Sequence, residues 1–254
     1  MSVIRPIRRL ATDLVVAFQF LTRIPMPAIG FEEDSLSRAV KFFPLVGVVV
    51  AAGAILLQWL LISHLGRPLV ALIVLAYFVL ITGCFHEDGL ADTADGFGGG
   101  WNREQMLLIM KDSRIGSYGA AALTLSLLAR FLLLGALPPR SFAAYVISAQ
   151  VLCRWSSLPL SYFLPPAREQ DGQGSRIAGL TSLSSLIVGS VLSFAIIGFA
   201  LRWKAIAPLV AALAVIGLSG WFYSKKINGV TGDCFGATNQ LTEIAIYLCG
   251  VWNV

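Results

Sequence analysis

Residues 43–63 read FPLVGVVVAAGAILLQWLLIS, with no charged side chain among them. A helix crossing a bilayer needs roughly 20 mostly apolar residues, because lipid offers no hydrogen bonds to its backbone. Outward from this stretch the pattern recurs at about 68–85, 118–137, 142–164, 183–201 and 205–223, with a weaker segment at 236–254. Gly, Pro and charged residues punctuate the series. Residues 9–24 form another apolar-rich segment, closed by Pro25 and Pro27. The series predicts an all-α fold: a polytopic membrane helix bundle of about seven transmembrane helices plus an N-terminal amphipathic helix, forming one integral-membrane domain over 1–254.

Composition agrees. Of 254 residues, 57% are hydrophobic and 13% charged, and the mean hydropathy is +0.77. A soluble domain carries about twice that charged share. Intrinsic disorder is excluded by the same numbers. Four cysteines are too few for a disulfide scaffold. Cys84, Cys153, Cys234 and Cys249 lack metal-ligand spacing and read as small apolar residues. The net charge of +5 reads as Lys and Arg flanking membrane spans. No basic run alternates with stacking aromatics, so nucleic acid is not an expected partner. Arg5, Arg8 and Arg9 precede an apolar stretch, as in a signal peptide. Asp13, Gln19 and Arg23 interrupt it and no clean cleavage site follows, so an interfacial helix is expected.

Charge counting orients the chain. With the N-terminus in the cytoplasm, the outer loops hold Arg67, Arg140, Arg202 and Lys204, four positive charges against thirteen on inner segments. The inner segments are then 86–117, 165–182 (read as a flexible loop) and 224–235.

The first of these carries the strongest chemical signal. Of 14 carboxylates in the chain, Glu87, Asp88, Asp92 and Asp95 fall within nine residues. Asp88, Asp92 and Asp95 stand at i, i+4 and i+7, one face of a helix. Crowded carboxylates beside a membrane span are costly without a cation. Their hard oxygens suit Mg²⁺ or Mn²⁺ rather than zinc. His86 could act as ligand, general base or hydrogen-bond donor to phosphate, and the glycines at 96 and 98–100 could let phosphate approach the backbone. A second segment, Met110–Gly119, offers Lys111 and Arg114 to phosphate oxygens and Asp112 to the metal. A third, Gly229–Asn239, places Thr231, Asp233 and Asn239 at the start of a span, with Glu243 further along. Polar groups there point to a cavity facing the bundle interior. Arg154, deep in a span, calls for a phosphate or carboxylate partner, and Arg130 is read evenly as either functional or structural. The chemistry expected is metal-assisted transfer at a phosphate or diphosphate.

The stretch His86-Glu87-Asp88-Gly89-Leu90-Ala91-Asp92-Thr93-Ala94-Asp95-Gly96 closely resembles the signature of the bacterial cobalamin synthase family. The resemblance extends to Phe20–Pro25, Phe43–Gly47, Lys111–Gly116, Ala167–Glu169, and Thr231–Asp233 followed by Gly236-Ala237. It implies the nucleotide-loop assembly step of cobalamin synthesis: adenosylcobinamide-GDP and α-ribazole, or its 5′-phosphate, giving adenosylcobalamin, or its 5′-phosphate, plus GMP. It implies Mg²⁺ and a multi-pass location in the cytoplasmic membrane, with association with other enzymes of the pathway a further candidate partnership. On this reading Asp88, Asp92 and His86 are catalytic. Asp88, Asp92 and Asp95, with Asp112 and Asp233, hold metal. Lys111, Arg114, Arg154, Arg168, Thr231, Asn239 and Glu243 face substrate. Members often carry an apolar residue at the Glu87 position, which sets Glu87 apart from the ligands. Two rivals remain. A CDP-alcohol phosphotransferase would need Ala-Arg where Ala91-Asp92 stands, and a cation or corrinoid transporter would place its carboxylates at mid-membrane depth.

Overall fold

The computed structural model describes residues 4–28, 34–168 and 177–252. Glu32, Glu33, Glu169, Arg176 and the middle of the 165–182 loop lie outside them. Among the described residues the chain is helical, with one isolated bridge between Pro166 and Val230.

Each apolar stretch becomes a helix. The 43–63 stretch is α3, Phe43–Leu61, entered through α2, Ser35–Ala39, and a short 3-10 turn. Next come α4, Arg67–Thr82; α5, Phe85–Gly99; α6, Arg103–Ile109; and α7, Ser117–Ala136. Then follow α8, Phe142–Trp155; α9, Ser157–Phe163; α10, Leu183–Leu201; α11, Ile206–Ile227; and α12, Gly232–Trp252. The N-terminal α1, Ile4–Leu21, is amphipathic: Val16, Ala17 and Leu21 are buried, while Arg9 and Leu10 are exposed. Its buried Asp13 accepts from Arg38 Nε at 3.1 Å and Lys41 Nζ at 2.8 Å, which docks α1 onto the entry to α3.

By length and apolarity alone, Ser35–Leu61, Ser117–Ala136 and Leu183–Ile227 can cross a membrane, and α4 with α5 adds a fourth if that bent pair is one span. The expected count of seven is therefore not confirmed. The reason is visible in the shorter helices: α4 has 16 residues and α8 has 14, and α12 opens on polar side chains. Leu183–Ile227 is two antiparallel helices. Gly189, early in α10, packs on Leu158 of α9, and Gly220, two turns from the end of α11, packs on Leu160. Arg202, at φ 54°, makes the turn between them.

The molecule is apolar outside and polar within. Leu56, Leu72, Leu125, Leu132, Phe199 and Leu218 are exposed, while Glu87, Arg130, Arg154 and Glu243 are buried. Exposed Trp59, Trp203 and Trp252 end helices on one side, and Trp101 and Trp221 lie toward the other, a two-belt arrangement suited to lipid interfaces. The chain is a multi-pass membrane protein. Its central helix is α8, whose residues Ser148 through Trp155 are all buried. Gly47 lets α3 close on the α8 backbone at Gln150, and Gly53 packs against Tyr77 of α4. These small residues join helices within the chain.

Candidate active site

The backbone turns where the acidic segment begins. Gly83 and Cys84 take φ of 66° and 61°. The Gly83 N–H donates to Leu80 O and the Cys84 N–H to Val79 O, a left-handed cap that ends α4. From it α5 leaves at 86°, out of the spanning direction.

Two glycines then bring α5 onto α12. A Cβ at Gly89 would stand 2.8 Å from the Asp233 carbonyl oxygen and 3.2 Å from Gly236 Cα. One at Gly236 would stand 3.2 Å from both Gly89 Cα and His86 O. Without side chains the two backbones touch, and the crossing carries Asp88 and Asp92 toward Asp233. Along the α5 face Asp88 is exposed, Asp92 half-buried and Asp95 buried. Burial first, then the charges of Asp88, Asp233 and Asp95, push the Asp92 carboxyl up to about 7, against the pull of Arg168. We expect Gly89→Ala to destabilise the protein. Alanine gains up to about 1 kcal/mol in a helix, but overpacking against backbone, which cannot rotate away, costs about 1–3 kcal/mol. A melting temperature lower by roughly 2–4 °C is the expected reading; an unchanged one would mean the helices are not in contact.

Arg168 reaches Asp233 through a backbone clip. The Ala167 N–H donates to Val230 O and the Val230 N–H to Pro165 O, each at 3.0 Å. This fixes the chain entering α12 beside the 165–168 segment. Arg168 Nη1 then lies 4.0 Å from Asp233 Oδ2, and its Nη2 donates to Leu107 O. Thr231 caps α12, accepting from the Cys234 N–H at 3.3 Å, and its hydroxyl donates to Asp233 Oδ2 at 3.3 Å. Arg103 ties the clip to α6 and α11 by donating to Ala167 O and Ile227 O.

The other residues singled out from the sequence fall elsewhere. Both Asp95 oxygens accept backbone N–H groups at the start of α7, from Gly116 at 2.7 Å and Gly119 at 2.8 Å. A Cβ at either glycine would strike that carboxylate, so the glycines are explained by the cap. Asp112 and Arg114 pair with each other in an exposed turn, and the guanidinium holds the Asp112 carboxyl down at about 2. Lys111 is exposed beside them. Glu243 belongs to a buried cluster. Arg130 Nη1 lies 2.7 Å from Glu87 Oε1, and its Nη2 3.2 Å from Glu243 Oε2. Gln240 accepts from Arg130 at 3.0 Å and from Ser126 at 3.1 Å, and donates to Glu87 at 3.1 Å. His86, two residues before Asp88, lies roughly 200° around the helix from it and is buried. It faces the interior, within electrostatic range of Arg154 and Arg130. Asn239 is buried one turn beyond Gly236.

The expected ligands are thus divided. Asp88, Asp92 and Asp233 converge; Asp95 and Asp112 are held by other partners. Among the described residues no group of three or more His, Cys, Asp or Glu side chains stands close enough to hold a metal ion by itself. Sequence reading missed the Gly89–Gly236 contact and the Arg103 tie, and left the role of Arg130 undecided. One glycine on each of two helices far apart in the chain left no sequence signal of the first.

The family model described as cobalamin-5-phosphate synthase matches residues 13–251. A protein of Rhizobium johnstonii is 41% identical over 262 residues, covering 96% of this chain and 98% of its own. One of Ralstonia nicotianae is 37% identical over 246 residues, covering 94% and 95%. One of Shewanella frigidimarina is 38% identical over 242 residues, covering 92% and 91%. All three are named adenosylcobinamide-GDP ribazoletransferase. No solved structure matches the chain. With a family match over nearly its whole length and relatives this similar end to end, the chain belongs to the cobalamin-5-phosphate synthase family.

Proposed function

We propose that this chain, as one integral-membrane domain, transfers the adenosylcobinamide-phosphate moiety of adenosylcobinamide-GDP to α-ribazole or its 5′-phosphate, releasing GMP. The observation that carries the reading is the convergence of Asp88, Asp92 and Asp233 with Arg168 at the α5–α12 crossing. A ribazole hydroxyl attacks the phosphorus that bears the cobinamide ester. A new P–O bond forms, and the bond from that phosphorus to the bridging oxygen breaks. GMP leaves with the electron pair, and the hydroxyl proton passes to a base.

The donor chemistry fits Mg²⁺. Such ions are commonly held by one or two carboxylates plus substrate phosphate oxygens, so a ready three-ligand cage is not required. Like-charge crowding at Asp88, Asp92 and Asp233 is what a cation relieves. Asp88 and Asp92 would hold it, with Asp233 alongside; when bound it would supply charge neutralisation at the diphosphate and leaving group. Arg168, fixed by the clip, faces the same phosphates, and Lys111 and Arg114 are exposed within the adjoining segment. A carboxylate of the Asp88–Asp92 face accepts the hydroxyl proton more readily than His86, which points the other way. The acidic face lies on the cytoplasmic side of the inner membrane, following the excess of Lys and Arg on that side.

The test is GMP release by the full chain in liposomes, supplied with adenosylcobinamide-GDP and α-ribazole 5′-phosphate. We expect release and a new corrinoid product with Mg²⁺, and neither after chelation. Release that is indifferent to chelation removes the metal from the proposal; no release from folded protein removes the transferase.

A further inference from the structure

The interior holds two arginines in opposite circumstances. Arg130 is ion-paired to Glu87 and Glu243. Arg154, on α8, is only 2% exposed and has no carboxylate within 4.0 Å among the described residues. Its Nη1 donates to the Gln150 carbonyl at 3.1 Å and to Gln150 Oε1 at 2.6 Å. Nε is buried without an acceptor, and Nη2 donates to none of the described residues. The Nε–Nη2 edge is the side of a guanidinium that grips a phosphate or carboxylate with two parallel bonds. The Glu87–Arg130–Glu243 cluster has one acid more than it has arginines, which offsets the Arg154 charge across space but fills none of its N–H groups. An unmet fork inside a membrane bundle is costly unless functional. His86 lies within electrostatic range of it, faces the same interior, and makes no hydrogen bond through its ring among the described residues. The Gln150 amide, which holds Nη1, is itself fixed by donating to Tyr247 OH at 3.2 Å, so the fork is preset.

We infer that the Arg154 fork, with His86 within electrostatic range of it, is an anion subsite inside the bundle, behind the aspartate face of α5, and that its ligand is a phosphate group of a substrate. The inference rests on the proposed transferase reading for its ligands. Phosphate reaches the enzyme from two sources: the monoester of α-ribazole 5′-phosphate and the diphosphate of adenosylcobinamide-GDP.

The test is equilibrium binding, which does not depend on turnover. α-Ribazole, α-ribazole 5′-phosphate and adenosylcobinamide-GDP are titrated singly against the full chain in liposomes, as wild type, Arg154→Gln and Arg154→Lys. A charge-assisted bond contributes about 1.5–3 kcal/mol, so Arg154→Gln should raise Kd roughly ten- to a hundredfold for the ligand that docks there. A rise for α-ribazole 5′-phosphate, with α-ribazole unchanged, assigns the fork to the monoester. A rise for adenosylcobinamide-GDP assigns it to the diphosphate. Arg154→Lys keeps the charge but loses the fork, and should give a smaller rise for the same ligand, which preserves the test if Arg154→Gln does not fold. Phosphate ligands that bind folded Arg154→Gln or Arg154→Lys as they bind wild type, or that do not bind wild type at all, overturn the inference. Loss of the transferase reading shows separately, as wild type that binds these ligands but releases no GMP.

Discussion

Asp88→Asn is expected to fold like the wild type and to release GMP at least about a hundredfold more slowly, a loss of roughly 3 kcal/mol in the barrier. Two facts separate this effect from stability. Asp88 is exposed, and its carboxylate makes no hydrogen bond among the described residues. The change keeps size and shape while removing one of three neighbouring negative charges, so on the proposed reading a bound cation would lose a ligand while the helix crossing would keep its contacts. Asp95 provides the contrast. Its oxygens close the start of α7, and its loss should lower the melting temperature. Near-full turnover by folded Asp88→Asn would remove the acidic helix from the chemistry.

The second large effect is on the fold. Arg130→Met should destabilise the protein by about 3–5 kcal/mol, because it strands Glu87 and Glu243 as unpaired buried carboxylates. Those side chains join α5, α7 and α12, so the loss should appear as global unfolding at lower denaturant. Replacing all three at once, Glu87→Leu, Arg130→Met and Glu243→Leu, should recover most of the stability, since buried ion pairs often exchange for apolar packing near neutrality. Denaturation of purified protein in detergent measures both. If the single variant is as stable as wild type, the cluster is hydrated or neutral rather than ionised and paired. The triple variant also shows whether the cluster does more than hold helices together, because Glu87 sits directly before Asp88.

Much of this was legible in the sequence because it depends on neighbours along the chain. Apolar stretches set helices, since lipid leaves a backbone few other ways to pair its own polar groups. The Asp88–Asp92–Asp95 spacing fixed one helical face, and the motifs identified the family. Spacing along one helix does not say what else each side chain touches. It placed Asp88, Asp92 and Asp95 in one ligand set, yet Asp95 turns to the α7 backbone. It grouped His86 with Asp88, yet they face opposite ways. It read Glu243 as a substrate group, and Glu243 pairs with Arg130.

Span number, too, was only partly legible: hydropathy does not register the 86° turn after Gly83, nor the shielding of short α8 by its neighbours. The sequence by itself determined an all-α membrane bundle with an acidic helix, and the family it belongs to. Only the tertiary structure decided which carboxylates converge, which arginine is paired and which is left open. Those outcomes depend on helices far apart in the chain meeting at contacts such as Gly89 on Gly236, and a contact between backbones leaves no periodic trace in either segment.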